Sequence, residues 1–126
     1  MMETWRQLLG VFVAGGVGAC LRVVIATAID ERGDRIPLGT WAVNLLGCLA
    51  IGILAAWVPR GPWRTIAIGG LLGGFTTYSS FALLSWELTR DDRLGAAALL
   101  VAGHVVGGLV AVAIGAWLGG LLQPST

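Results

Sequence analysis

The chain has 126 residues, of which 56% are hydrophobic and only 12% charged, with a mean hydropathy of +0.84. Soluble domains carry about 25% charged residues, so this composition fits a single membrane domain over residues 1–126. Net charge is +1 and all eight basic residues are arginine, with no basic run for nucleic acid and no acidic tail for a charged partner.

Apolar stretches of about 20 residues mark transmembrane helices. Four are expected, at residues 8–29, 40–58, 65–86 and 94–122. The connections DERGDRIPLG, PRGPWR and ELTRDDR carry the Pro, Gly and charge of turns in water. The first span is too long for a signal-peptide core, contains Arg22 and lacks a small-residue cleavage site, so it is expected to remain as a helix. Arg22 lies about two turns from its end. It either snorkels to the headgroups or holds a positive charge at a wet vestibule. The second span holds Asn44 near its start, an amide able to tie helices together. Cys20 and Cys48 sit in apolar stretches without ligand spacing and are expected to be small buried hydrophobes.

The third span contains GGFTTYSSFALL, beginning at Gly73. Five hydroxyls follow one another here: Thr76, Thr77, Tyr78, Ser79 and Ser80. Ser and Thr can bond back to the preceding turn of an intact helix. A double glycine followed by five hydroxyls favours instead a helix broken over residues 73–77, which at membrane depth must be buried or line a wet cavity. Helix resumption would place Tyr78 and Phe81 on one face. The fourth span carries His104, either a satisfied packing residue or a ligand. Gly69/Gly73, Gly70/Gly74, Gly103/Gly107 and Gly115/Gly119 give small-xxx-small spacings, which predict close helix contact, between subunits as well as within one.

Four spans put both termini on one side, with Arg6, Arg60 and Arg64; the other side has Arg32, Arg35, Arg90 and Arg93. Three against four is almost no orientation bias. Copies inserted in opposite senses would then be able to pair as an antiparallel dimer. No Asp or Glu lies in the core of a span, whereas cation and proton transport relies on an embedded carboxylate. Hydroxyls, an amide, an imidazole, a guanidinium and the electropositive edges of Tyr78 and Phe81 suit an anion. Nucleophilic hydrolysis has little support: His104 is the only histidine, with no carboxylate placed to orient it.

At these residues the chain resembles the Fluc, or CrcB, family of fluoride channels. GGVGACLR (Gly15 to Arg22), GTWAVNLLG (Gly39 to Gly47) and GGFTTYSSF (Gly73 to Phe81) are similar to three family motifs, in order and on the matching helices. The resemblance implies an all-α membrane protein, with four helices and the third broken near mid-membrane, that forms an antiparallel, dual-topology homodimer. It implies two fluoride pores along the subunit interface, in a cell membrane. Asn44, Tyr78 and Phe81 would line the pore with Thr40, Ser79, Ser80 and His104, and Arg22 would stand at the vestibule. A structural Na+ on the dimer axis would be held by the main-chain carbonyls of Gly73 and Thr76 from both subunits. The sequence departs from the family pattern at three places. Tyr78 replaces a phenylalanine, His104 falls where a tyrosine is frequent and would make conduction sensitive to pH, and Leu84 replaces a glutamate, with Glu87 one turn on.

The expected function is passive fluoride exit through a narrow, donor-lined channel. One rival is a small multidrug-type cation exporter, which needs a first-helix glutamate that this chain lacks between Trp5 and Ile29. Another is a structural or assembly subunit of a larger membrane complex.

Overall fold

The computed structural model describes residues 2–31 and 36–123. Arg32 and Arg35 of the first connection lie outside them. Helix α1 spans Met2–Asp30 and α2 spans Gly39–Trp57. The third span runs from Pro62 to Arg90 in two pieces, α3 over residues 62–75 and α4 over Tyr78–Arg90. Helix α5 spans Leu94–Leu121. The four segments Glu3–Asp30, Gly39–Trp57, Pro62–Arg90 and Leu94–Leu121 are long and apolar enough to cross a bilayer. The third is longer than the expected 65–86, because its arginine- and tryptophan-bearing ends, Pro62–Arg64 and the last turn to Arg90, stay helical.

The helix ends follow local chemistry. Asp30 Oδ1 accepts from Gly39 N–H at 2.7 Å, so the end of α1 satisfies one of the orphan donors at the start of α2. At the end of α4, Arg93 N–H donates to Leu88 O at 2.9 Å and Asp92 takes φ 57°, the left-handed turn that closes many helices. Aspartate tolerates this region better than most side chains.

Two parallel helix pairs form the bundle, α1 with α3 and α2 with α5. Small residues allow both. Gly74 lies against the main chain of Gly15, and Gly18 against the main chain of Leu71 and Phe75. Gly115 and Gly119 of α5 sit against the Leu49 and Ile53 carbonyls of α2. Gly70/Gly74 and Gly115/Gly119 are therefore intrachain contact faces, as their spacing predicts. Gly69 and Gly73 are exposed and touch no other helix.

Little of the apolar surface is buried within one chain. Val43 is the only large side chain fully enclosed among the described residues, and Leu88, Ala97 and Leu100 form a small cluster between α4 and α5. Phe12, Val24, Leu99 and Leu109 point outward, as membrane-facing or partner-facing side chains do.

Candidate functional site

The third span is interrupted at Thr76 and Thr77 alone. Thr76 has φ −91° and ψ 160°, and Thr77 φ −150° and ψ 115°, both extended. This corrects the expectation of a break over residues 73–77. Gly73 remains helical at φ −62° and ψ −37°, and Gly73–Phe75 complete the helix. Gly74 serves close packing against Gly15, and the double threonine makes the break. Upstream, Thr65–Leu72 is π-helical. Its wider turn puts Ile68, Leu72 and Gly73 along one groove wall, and such segments recur at functional sites.

Two extended residues at membrane depth need new hydrogen-bond partners, and Asn44 of α2 supplies them. Thr77 N–H donates to Asn44 Oδ1 at 2.8 Å, and Asn44 Nδ2 donates to Thr77 O at 3.0 Å. Gly47, close behind on α2, leaves room for the Thr76 methyl. Thr77 then starts α4. Its Oγ1 accepts from Ser80 N–H at 3.2 Å, the bond of a helix N-cap. The same hydroxyl donates to Ser80 Oγ at 3.1 Å. A hydroxyl has one proton, so at the 3.2 Å contact with Ser79 Oγ the serine is the donor. Thr76 Oγ1 donates back to Leu72 O at 2.9 Å, the ordinary helical role for threonine.

These diversions leave particular carbonyls without their usual donors. In a continuous helix Thr77 N–H would serve Gly73 O, and Ser80 N–H would serve Thr76 O. The first goes to Asn44 and the second to Thr77 Oγ1. Gly73 O and Thr76 O, the two expected cation ligands, are thus among the carbonyls that lose their helical donors at the break. Such oxygens fit a hard monovalent cation. Among the described residues no group of three His, Cys, Asp or Glu side chains is placed to hold a metal.

A groove of ≈ 390 Å³ runs past the break. It gathers Asn44, Tyr78, Phe81 and His104 with Gly73 and Thr76. Tyr78 and Phe81 stand edge to face, 5.5 Å between centroids at 66°. Phe81 stacks on the His104 ring at 4.2 Å and 33°. Tyr78 is 79% exposed, so the groove is open on that side. Ser79 and Ser80 bond to Thr77 and do not line it, and Thr40 lies one turn before Asn44 on α2, also outside the lining. Arg22 is half-buried on α1, one turn past Gly18 and level with the break, and its Nε is buried without a hydrogen-bond partner among the described residues.

The groove's apolar wall was not anticipated. Cys48 and Ile51 follow Asn44 at helical spacing on α2, and Val105 follows His104. That spacing was the available signal. A second cleft of ≈ 540 Å³, lined by Arg60, Arg64 and Thr65, shares Ile51 and Ile68 with the groove.

Residues 9–116 match the family model described as CrcB-like protein, Camphor Resistance (CrcB). The chain belongs to the CrcB family. A Novosphingobium aromaticivorans relative named Fluoride-specific ion channel FluC is 41% identical over 112 residues, which is 83% of this chain and 89% of the relative. A Chloroflexus aurantiacus protein of the same name is 40% identical over 120 residues, 90% of this chain and 95% of its own. An Escherichia coli protein of that name is 35% identical over 118 residues, 90% of this chain and 93% of its own. CrcB membership thus extends the likeness seen at three motifs to almost the whole chain.

Proposed function

We propose that this chain is a fluoride-selective channel that lets fluoride leave the cell passively across the cell membrane. The observation that carries this is a groove with an apolar wall, the Asn44 amide and the Tyr78 hydroxyl as donors and no carboxylate in its lining, built on a break in a membrane helix, in a chain whose relatives are named fluoride channels. Fluoride holds water tightly, so a filter must replace that shell with donors yet bind weakly enough to release the ion. Asn44, the Tyr78 hydroxyl and the ring edges of Tyr78 and Phe81 supply contacts of this kind. Ser79 and Ser80 act through Thr77, whose cap they brace. Arg22, level with the break, raises the local anion concentration.

The working form is an antiparallel homodimer inserted in both senses. Three features support it. Arginines divide almost evenly between the two sides, the Gly69/Gly73 face is bare, and the groove leaves Tyr78 exposed at a depth where lipid offers a hydroxyl no partner. A second copy closes the groove into a pore. Gly73 O and Thr76 O of both copies would hold a Na+, which supplies positive charge that pins the two breaks together.

A cation exporter is not favoured, because the carboxylates of α1 are Glu3 in its first turn and Asp30 at its last residue. An assembly subunit predicts that Phe81→Ile or Asn44→Asp leaves fluoride resistance intact. The test is fluoride efflux from liposomes carrying purified protein, followed with a fluoride electrode. No leak, or an equal chloride leak, overturns the proposal.

A further inference from the structure

We infer that His104 is an anion-binding residue that works only when protonated, so that the groove takes up a small anion together with a proton. The identity of the anion as fluoride rests on the function proposed above; the proton linkage rests on the geometry of the ring.

Nδ1 of His104 lies 2.9 Å from Leu100 O. A carbonyl only accepts, so Nδ1 carries the hydrogen, and in the neutral ring Nε2 is left with a lone pair. Nε2 is buried and has no hydrogen-bond partner among the described residues. The ring cannot easily turn away, because Phe81 stacks on it at 4.2 Å and Leu100 O holds its other nitrogen. A buried acceptor with nothing to accept is costly and calls for an explanation.

The two charge states treat an anion oppositely. Neutral His104 presents a lone pair, which repels it. Protonated His104 presents an N–H and a full positive charge, and the Phe81 ring face favours that charge. The titratable groups that line the groove with His104 are the Cys48 thiol on α2 and the Tyr78 phenol on α4. Glu87 and Arg90 lie farther along α4, and no Asp, Glu or Arg is among the residues lining the groove. The imidazolium therefore has no fixed counter-charge there, and a mobile anion takes that place. Nε2 is covered in the resting chain, so the proton reaches its lone pair from solvent, and the anion reaches the N–H, only as the side chains of the groove around it shift; no covalent bond to the anion forms. Anion and proton then favour each other's binding by the same factor.

His104 is the only histidine, so protein labelled with 15N-histidine reports this ring alone. At a fixed pH of about 7.5, sodium fluoride is expected to convert the spectrum from the neutral Nδ1–H form to imidazolium. A spectrum unchanged at saturating fluoride overturns the inference. Liposome efflux, with protein-free vesicles subtracted at each pH, is expected to be at least about threefold faster at about pH 5.5 than at about pH 8. His104→Gln is expected to flatten that profile. Efflux that is robust but equal at both pH values overturns the inference and leaves the channel standing. Fluoride-dependent protonation without efflux overturns the channel and leaves the anion site standing.

Discussion

Asn44→Ala tests the idea that one side chain holds the helix break. The substitution removes both bonds to the Thr77 main chain, at 2.8 and 3.0 Å, at a residue only 8% exposed. A buried polar group left without a partner costs about 1–3 kcal/mol in soluble proteins. Interhelical hydrogen bonds measured in membranes average nearer 0.6 kcal/mol and reach about 1.7. Two such bonds, beside a groove open to water, give about 1–3 kcal/mol. At about 1.4 kcal/mol per tenfold, the break geometry loses roughly fivefold to a hundredfold in population. Reversible unfolding in mixed micelles measures the energy, and liposome efflux measures the consequence. Asn44→Asp sharpens the comparison. It keeps an oxygen for Thr77 N–H but sets a second oxygen against Thr77 O, so it is expected to be at least as harmful as alanine. An alanine variant with unchanged unfolding and unchanged efflux would refute the reasoning, and so would an aspartate variant that behaves like wild type.

Three further predictions use the same assays. Thr77→Val removes the cap of α4 and releases Ser79 and Ser80; a loss of about 1 kcal/mol in mixed-micelle unfolding is expected. Gly74→Ala drives a methyl into the main chain of Gly15 and should cost about 1–3 kcal/mol, whereas Gly16→Ala meets nothing within 4 Å and should not destabilise the single chain. Arg60→Gln with Arg64→Gln removes the charge from the cleft that joins the groove, so efflux should fall at low ionic strength and converge with wild type at about 1 M salt, where screening removes steering.

How much of this was legible in the sequence varies by residue. Span number and position follow from hydropathy, because a bilayer leaves a long apolar run few alternatives. Gly70/Gly74 and Gly115/Gly119 were readable as contact faces from spacing alone. The place of the break was not. Glycine weakens an isolated helix, which made Gly73 and Gly74 look like its cause. In the bundle both positions are helical, and Gly74 is pressed against the main chain of Gly15, where only a residue without a side chain fits. The break falls where Asn44, 33 residues away, can replace the lost main-chain partners. A single sequence does not display that pairing. The π-helical stretch Thr65–Leu72 also leaves no local mark, since its composition is that of any apolar helix. Thr40, Ser79 and Ser80 were expected in the pore from the resemblance and Arg22 at its vestibule, and none of the four lines the groove of a single chain.

Pairing off the polar groups around the break shows why the site has two kinds of ion chemistry. Thr77 N–H and O are consumed by Asn44. The Thr76 hydroxyl is consumed by Leu72 O, and the Ser79 hydroxyl by Thr77. What those pairings do not consume falls into two sets. Gly73 O, Thr76 O and the neutral His104 Nε2 are acceptors, and where the protein supplies no donor such acceptors call for a cation or a proton. The Tyr78 hydroxyl and the second Asn44 N–H are donors, and donors call for an anion. Five neighbouring hydroxyls therefore do not form one anion-binding strip. Four of them, on Thr76, Thr77, Ser79 and Ser80, are engaged in making a stable break, and the break creates acceptors that need positive charge. A fixed cation at the carbonyls and a proton on His104 would each supply that charge. The groove would then be electropositive without any arginine in its lining, which is the condition an anion needs to leave water and pass.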